Sequence, residues 1–309
     1  MVFEKIKVPM ARPSIGNNEK NAMLDVFNSN WLAQGQITKN FEKELSKYLS
    51  SNVTVVNNGS SAILCALLAH GIKPGDKIIV PSFTYMATSS IPKILGAKII
   101  PVDIDPTTLN ISIDSVEKIL KKQKIKMVIL VDVAGLPADI DTFVELSKKY
   151  NFILFEDAAE ALGSEYKNKK LGSFSHTTIF SFHIAKQITT IEGGCITTLD
   201  KKLHKKIQAI RDMGRTKKGY VHDYIGSNFR TTDIQSAIGL QQLKKLDNFI
   251  QRREKIANIY KTSIEPFNFQ FVPDYVSKHT YMLFFIITKN QRQRNKVVKK
   301  LRIQGIDAR

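Results

Sequence analysis

Lys186 is the residue whose type and position most directly suggest catalysis. It lies in the segment Ser181-Phe182-His183-Ile184-Ala185-Lys186, just beyond the apolar run Thr178–Phe182, which has the composition of a buried strand. A lysine in such a place is partly desolvated, which favours the neutral amine, and a neutral amine can attack a carbonyl carbon. Because the chain is rich in lysine, a single lysine would most commonly be a surface residue, so its context decides.

A polar segment, Asn57-Asn58-Gly59-Ser60-Ser61, lies between a strand predicted at Val53–Val56 and a helix predicted over Ala62–His70. Its glycine allows a sharp turn, and its two serines would present amides and hydroxyls at the helix N-terminus. That arrangement favours a phosphate group, although a simple helix cap uses the same residue types. We call residues 57–61 the phosphate turn.

An acidic pair, Glu156-Asp157, directly follows the predicted strand Phe152–Phe155. An acid at a strand end can cap a loop, or it can face a pyridine nitrogen, keep that nitrogen protonated and make the ring an electron sink. The phosphate turn, this acid, Lys186 and then Glu192-Gly193-Gly194 follow one another along the chain. This order predicts a phosphate site, a ring-nitrogen partner and a covalent lysine, which together suit pyridoxal phosphate.

The segments that carry these residues alternate between short apolar runs and amphipathic helical patterns. Seven runs are rich in β-branched residues and apolar on both faces: Val53–Val56, Lys77–Val80, Lys98–Val102, Met127–Val131, Phe152–Phe155, Thr178–Phe182 and Cys195–Thr198. Such runs are typical of a largely parallel sheet covered by helices. The alternation predicts an α/β fold, in which ligands bind beyond the carboxyl ends of the strands.

The C-terminal part has a different pattern. A long helical stretch begins near Thr231, residues Asn268–Thr288 alternate like strands, and Gln291–Gln304 has the pattern of a helix. We therefore expect a large domain over residues 1–245 and a smaller α+β domain over residues 246–309. One helix with two or three strands makes a small core, so we expect this domain to be incomplete.

The chain of 309 residues has a formal charge of +18, from 46 basic and 28 acidic residues. This charge favours anionic partners, either nucleic acid or phosphorylated small molecules, although a lysine-rich solvated surface has the same balance. The basic residues are spread along the chain without an aromatic-interleaved stripe, so we expect no binding of nucleic acid.

The remaining composition indicates an ordinary globular protein. No run reaches the length of a membrane span and the N-terminus has no apolar signal core, so we expect no membrane association and a cytoplasmic location. Cys65 and Cys195 are far apart in sequence and have no metal-ligand spacing. We interpret both as small buried residues and expect no metal site.

Taken together, the motifs resemble the DegT/DnrJ/EryC1/StrS family of sugar aminotransferases, over Pro9–Arg309. The resemblance is carried by Trp31–Gly35, Asn58–Ala62, Pro81–Tyr85, Glu156–Gly163, Ser181–Gly194, Asn228–Arg230 and Gly305–Arg309. It implies fold type I of the pyridoxal-phosphate enzymes, the aspartate aminotransferase-like fold, with a mostly parallel seven-stranded sheet and a smaller C-terminal domain.

The resemblance also implies roles for the matching residues. Lys186 would hold the cofactor covalently and carry protons between carbon centres, and Asp157 would pair with the pyridine nitrogen. Tyr85 would stack on the ring, and Glu160 would lie near the ring hydroxyl, where many members have glutamine or histidine. The cofactor phosphate would be bound by Gly59, Ser60, Ser181 and Asn228.

Asn228 would come from the neighbouring subunit of a homodimer with shared active sites. Its position before the long helix also makes it poorly placed to fold back over its own phosphate turn. The implied reaction transfers an amino group from glutamate to a nucleotide-linked keto-sugar, and we favour a 4-keto-6-deoxy sugar. Trp31, His183 and Arg309 would contact the sugar or the diphosphate.

Three features depart from the family pattern. Ile191 stands where glycine is usual, and a β-branched residue fits poorly if that turn needs a positive φ. Asp132 stands where histidine is frequent, which bears on specificity. Members also normally continue well beyond Gly305–Arg309 to complete the small domain.

Two alternatives remain open on the same fold. A sugar dehydratase of this family has histidine in place of the catalytic lysine, so Lys186 argues against it. A catalytically impaired or regulatory paralogue is favoured by the short C-terminal domain and opposed by the presence of both Asp157 and Lys186.

Overall fold

A large sheet organises the chain, which the computed structural model describes over residues 6–216 and 220–309. With strands numbered in chain order, the sheet consists of β1 (Asn52–Val56), β2 (Lys77–Pro81), β3 (Lys98–Val102), β4 (Met127–Val131), β5 (Ile153–Asp157), β8 (Thr177–Ser181) and β9 (Gly194–Thr198). These are the seven predicted runs, shifted by at most two residues. The prediction of a mostly parallel seven-stranded sheet is confirmed.

The strand order brings the candidate residues to one edge of the sheet. The order is β1-β9-β8-β5-β4-β2-β3, and β9 alone among the seven runs antiparallel to its neighbours. Six strands therefore end at the edge where β9 begins. The phosphate turn and Lys186 lie in connections at this edge, where β5 ends at Asp157 and β9 begins at Gly194.

Helices cover both faces of the sheet. In chain order they are α1 (Asn17–Asn28), α2 (Gln36–Leu49), α3 (Gly59–Ala69), α4 (Ala87–Ile94), α5 (Ile113–Leu120), α6 (Ile140–Tyr150), α7 (Lys201–Arg211), α8 (Asp233–Leu243), α9 (Leu246–Ser263) and α10 (Gln291–Ile303). Helices α3 and α7 share one buried cluster with Val56, whereas α2 and α9 share another with Val53 and Val55. Because successive side chains of β1 point to opposite faces of the sheet, this strand contributes to the core on both faces.

Two helices differ from the prediction. α3 begins at Gly59 instead of Ala62, because the Asn58 side chain accepts a hydrogen bond from the Ser61 amide at 2.7 Å and caps the helix there. The stretch predicted from Thr231 forms α8 and α9, which are separated at residues 244–245. At this break the Lys245 ammonium group lies 2.6 Å from the buried carboxylate of Glu19.

The C-terminal region contains β10 (Asn268–Phe269), β11 (Val276–Lys278) and β12 (Ile286–Ile287) besides α10. β10 pairs with β12, but β11 pairs with β6 (Glu165–Tyr166), which in turn pairs with β7 (Lys169–Lys170). Main-chain hydrogen bonds thus join residues after 246 to the connection between β5 and β8. The domain boundary after residue 245 stays a prediction. None of the described helices has the length and apolar character needed to cross a membrane.

A buried ion pair covers the outer edge of β1, the first strand in the sheet order. The Val55 amide donates to Glu42 Oε1 at 2.9 Å, and its carbonyl accepts from Arg211 Nη1 at 3.0 Å. Arg211 also pairs with Glu42, and their side chains are only 7% and 13% exposed. The pair thus binds the amide and the carbonyl of Val55, which face the outer edge of the sheet.

We expect Arg211→Ala to lower the free energy of unfolding by about 3–5 kcal/mol, because the substitution leaves the Glu42 charge buried without its partner. Urea unfolding measures the loss. Lys47→Ala is the matched control, since the Lys47–Glu44 pair is 60% and 45% exposed and such pairs contribute about 0–1 kcal/mol. Equally small losses in both variants would contradict this role for the buried pair.

Three carboxyl groups are buried where β4 and β5 end: Asp132, Glu156 and Asp157. Glu156 and Asp157 are successive residues of β5, so their side chains point to opposite faces. Oε2 of Glu156 lies 3.2 Å from His176 Nε2. Burial, and then the charge of Glu156, raise the pKa of Asp132 well above its usual range, against a hydrogen bond from the Ala138 amide. Asp132 is 0% exposed, so we assign it a role inside the fold.

Asp132→Asn tests whether Asp132 holds a proton in the folded chain. With a raised pKa, the folded chain keeps a proton that the unfolded chain releases above about pH 4. The free energy of unfolding of the unmodified protein therefore falls as the pH rises from about 4 toward the raised pKa. The side-chain amide that Asp132→Asn introduces does not titrate, so the variant lacks this decrease. We expect the melting temperature of the variant, relative to the unmodified protein, to increase with pH over this range.

Asp141→Asn is the control for this pH dependence. A hydrogen bond from Lys167 lowers the pKa of Asp141, so its replacement should not produce the same increase. A melting-temperature difference for Asp132→Asn that stays constant with pH would rule out the buried proton.

Candidate active site

The predicted lysine lies beside a carboxylate at the ligand edge of the sheet. Lys186 follows β8, and its Nζ is 3.4 Å from Oε1 of Glu160, which follows β5. The two side chains are 16% and 24% exposed, so the ion pair is largely screened from solvent. The other carboxylate oxygen of Glu160 accepts a hydrogen bond from the Ala134 amide at 2.9 Å. The structure thus brings together the two residues that the resemblance assigns to the aldehyde and to the ring hydroxyl of the cofactor.

Asp157, the last residue of β5, is a buried and oriented carboxyl group. Its Oδ2 accepts a hydrogen bond from Thr88 Oγ1 at 2.7 Å, and Oδ1 accepts from the Ala159 amide at 3.2 Å. The Thr84 hydroxyl donates in turn to Thr88 at 2.9 Å. Burial raises the pKa of Asp157, while these hydrogen bonds and the charge of Lys186 oppose the rise. A further cation in the site would stabilise the carboxylate form of Asp157.

The phosphate turn meets the ends of β8 and β9. A Cβ at Gly59 would lie 3.0 Å from Ser181 Cβ, and one at Gly194 would lie 3.0 Å from the Gly59 amide nitrogen. Gly59 and Ser60 occupy the first turn of α3, whose N-terminal amides and dipole favour an anion. The predicted phosphate residues of one chain, Gly59, Ser60 and Ser181, are therefore adjacent in space.

Tyr85 and His183 are two further predicted site residues, and each makes local contacts. Tyr85 is 79% exposed in the turn before α4, and its carbonyl accepts from the Thr88 amide at 3.1 Å. His183 Nδ1 lies 3.3 Å from the Ala185 amide nitrogen, and Nε2 is 3.8 Å from Glu192 Oε1. The stacking role of Tyr85 and the substrate contact of His183 stay predictions.

The position of Asn228 corrects one expectation. The carbonyl of the next residue, Phe229, accepts a hydrogen bond from the Asn57 amide at 2.9 Å. The Asn228 segment therefore passes beside the phosphate turn of its own chain, which contradicts the argument that it is poorly placed to fold back there. Its Oδ1 accepts from the Arg230 amide at 3.3 Å. The prediction that Asn228 contributes to the active site of a neighbouring subunit then rests on the family resemblance.

Two further predicted substrate contacts lie apart from Lys186. Trp31 is 61% exposed, and its indole nitrogen donates to the Gln34 carbonyl at 3.3 Å. Arg309 Nε is 3.8 Å from Asp307 Oδ1, and Arg309 lines a groove of α10. The structure does not bring either residue into the Lys186 cluster, and their roles stay predictions.

The departure at Ile191 is visible in the backbone. Ile191 has φ of 72°, so a β-branched residue does occupy the left-handed region where glycine is usual. Hydrogen bonds hold the turn: the Ile191 amide donates to Thr189 Oγ1 at 2.9 Å, and the Glu192 carbonyl accepts from Thr190 Oγ1 at 2.8 Å and from Gln235 Nε2 at 2.7 Å. Surrounding contacts therefore impose the strained conformation.

Sequence reasoning missed Thr84 and Thr88, the two hydroxyls that orient Asp157. Thr84 lies in the bend before α4, and Thr88 lies in the first turn of that helix. Nothing in the sequence shows that this turn faces the end of β5. Over the described residues, no group of three His, Cys, Asp or Glu side chains is arranged to hold a metal ion.

Comparison with known proteins agrees with this geometry. The sequence profile of the DegT/DnrJ/EryC1/StrS aminotransferase family matches residues 13–309. A GDP-perosamine synthase of Escherichia coli O157:H7 is 37% identical over 308 residues, which cover 98% of this chain and 84% of that protein. A GDP-perosamine synthase of Caulobacter vibrioides is 33% identical over 311 residues, with coverages of 98% and 84%.

Solved structures give the same result. The E. coli GDP-4-keto-6-deoxy-D-mannose-3-dehydratase with bound hydrated PLP has a TM-score of 0.92 at 28% identity, covering 99% of this chain and 85% of that one. Together with the seven-stranded sheet, these similarities confirm the predicted fold type I architecture. The chain belongs to the DegT/DnrJ/EryC1/StrS aminotransferase family.

Proposed function

We propose that this chain is a pyridoxal-phosphate-dependent aminotransferase that converts a nucleotide-linked 4-keto-6-deoxy sugar to the amino sugar, with glutamate as amino donor. The observation that carries the proposal is the Lys186 amine, held 3.4 Å from Glu160 and close enough to Asp157 to influence its pKa. The names of two relatives, both GDP-perosamine synthases, favour GDP as the nucleotide.

The described residues fit pyridoxal phosphate. Gly59 has no side chain where a Cβ would crowd Ser181, which leaves room for a phosphate beside the Gly59 and Ser60 amides at the start of α3. Asp157 is oriented by Thr88, and its buried carboxylate would be favoured by a protonated pyridine nitrogen. Lys186 supplies the amine that the cofactor aldehyde needs.

Each residue then has a defined task. When bound, the cofactor supplies an electron-withdrawing ring for the carbon that loses a proton. Nζ of Lys186 would take that proton and deliver it to the other carbon centre, first as a general base and then as a general acid. The Asp157 carboxylate holds the proton on the ring nitrogen. Glu160 faces Nζ of Lys186 and orients it.

A sugar dehydratase is the second candidate, because the E. coli dehydratase has a TM-score of 0.92 with this chain. Lys186 opposes it, since the family resemblance gives a dehydratase histidine at that position. Incubation with glutamate and GDP-4-keto-6-deoxymannose separates the two. Mass spectrometry would show nitrogen in the sugar of an aminotransferase and loss of oxygen without gain of nitrogen for a dehydratase. An impaired paralogue would leave the sugar unchanged.

Lys186→Ala should lower the rate of amino-sugar formation by about 10³-fold or more, because no other described amine faces Asp157 and Glu160 to move the proton. The measurement is the amino sugar formed per enzyme under saturating glutamate. Lys148→Ala, at an exposed position of α6, is the control and should keep full activity. Turnover within a few-fold of the unmodified enzyme in Lys186→Ala would overturn the assignment.

We further propose a homodimer in which Asn228 serves the site of the second copy. The segment before Asn228 exposes apolar side chains, with Tyr220 at 95% and Ile225 at 86%, besides Val221 and Tyr224. A surface of this kind is typical of a protein–protein contact. Its proximity to the phosphate turn favours a second copy of this chain as the partner.

Mixing two inactive variants tests the shared site. Lys186→Ala chains combined with Asn228→Ala chains should recover about a quarter of the unmodified activity, because half of the dimers are hybrids with one intact site each. The control is each variant mixed with itself, which should gain nothing. If Asn228 serves its own chain, every site in the hybrid carries one lesion or the other, and the mixture stays inactive.

A further inference from the structure

Thr280 links the C-terminal region to the segments around Lys186. Its side chain is fully buried, and its hydroxyl accepts a hydrogen bond from Gln187 Nε2 at 3.1 Å. The same hydroxyl lies 3.0 Å from Ser164 Oγ, which donates its own hydrogen to the Gly135 carbonyl at 2.6 Å. With the Ser164 hydrogen used there, the Thr280 hydroxyl has two acceptors within reach, Ser164 Oγ and, at 3.4 Å, the Glu160 carbonyl. Gln187, Thr280, Ser164 and Gly135 are thus joined by consecutive contacts.

Both ends of this chain of hydrogen bonds meet the Lys186–Glu160 pair. At one end, Gln187 directly follows Lys186 and also donates to the Glu160 carbonyl. At the other end, Gly135 follows Ala134, whose amide donates to Glu160 Oε2 at 2.9 Å. The main chain and the carboxylate of Glu160 are therefore held from opposite ends of one network.

The geometry at Gly135 shows how close this contact is. Gly135 has φ of 92°, and a Cβ there would collide with the Thr280 hydroxyl. Thr280 is itself fixed on its C-terminal side, because the Met282 amide donates to the Ala134 carbonyl at 2.8 Å. Arg253 of α9 donates to the Tyr281 and Met282 carbonyls at 3.2 Å and 3.0 Å. The stretch around Thr280 is thus hydrogen-bonded to Ala134, the residue whose amide binds the Glu160 carboxylate.

We propose that Thr280 is a positioning residue that holds the Glu160 carboxylate against the Lys186 amine. Its consequence for catalysis rests on the proposed aminotransferase function, but the contact itself can be measured without cofactor or substrate. Loss of the hydroxyl leaves Gln187 and Ser164 with one fewer partner in a buried place, which favours rearrangement of the segments that present Glu160.

The test measures the reactivity of Lys186 in the cofactor-free protein. Limited acetylation with acetic anhydride, followed by peptide mass spectrometry, gives the labelling of Lys186 relative to the exposed Lys148 of the same molecule. An amine that donates to a carboxylate 3.4 Å away is less available to the anhydride, so Thr280→Val should raise this ratio about two-fold or more. Thr280→Ser keeps the hydroxyl and should restore the original ratio.

A double-mutant cycle separates positioning from general loosening. Glu160→Gln removes the charge directly and should raise the ratio as well, and Thr280→Val should add nothing further in the Glu160→Gln background. If Thr280→Val does not fold, as judged by circular dichroism, Gln187→Met interrupts the same network from its other end and should give the increase.

An unchanged ratio in the folded hydroxyl-free variant, an equal change in Thr280→Ser, or additive effects in the double variant would each overturn the proposal. None of these results depends on turnover, so a failure of the aminotransferase assignment would be recognised separately.

Discussion

The ion pair between Lys186 and Glu160 is the interaction to which the rest of the site is fitted. Both side chains are largely buried, so each charge needs its partner and further hydrogen bonds to be stable there. The connection after β4 supplies the Ala134 amide, the connection after β5 supplies Glu160, and the connection after β8 supplies Lys186. The parallel sheet makes this possible, because it delivers all three connections to one edge.

Charge is distributed unevenly along that edge. The N-terminal amides of α3 and the Ser181 hydroxyl form a region that favours an anion, while Asp157 forms a buried acidic region under Thr88. Lys186 lies between β5 and β9 in the sheet order, and it is the cation that the acidic region faces. A ligand with a phosphate at one end and a basic ring at the other matches both regions, which is why pyridoxal phosphate fits better than a simple phosphate ester.

The parts of this arrangement that depend on local pattern could be predicted from the sequence. The seven strands follow from apolar β-branched runs, and Lys186, Asp157 and the phosphate turn follow from their positions at strand ends. The parts that depend on chain path could not. Thr88 and Thr280 reach the site through tertiary packing, and the hydrogen bond from Asn57 to Phe229 spans a long stretch of chain that no periodicity describes.

The strand pairing of the C-terminal region bears on where the chain divides into domains. A boundary after residue 245 follows from the change in sequence pattern, yet β11 pairs with β6 within the connection between β5 and β8. Two residues after β11, Thr280 enters the buried network around Glu160. Residues 276–282 thus contact the segments that present Lys186 and Glu160, and Arg253 of α9 donates hydrogen bonds to the same stretch. Ala134 and Gln187 each bind both the stretch around Thr280 and Glu160. A displacement of residues 276–282 would therefore change the position of the Glu160 carboxylate relative to Lys186.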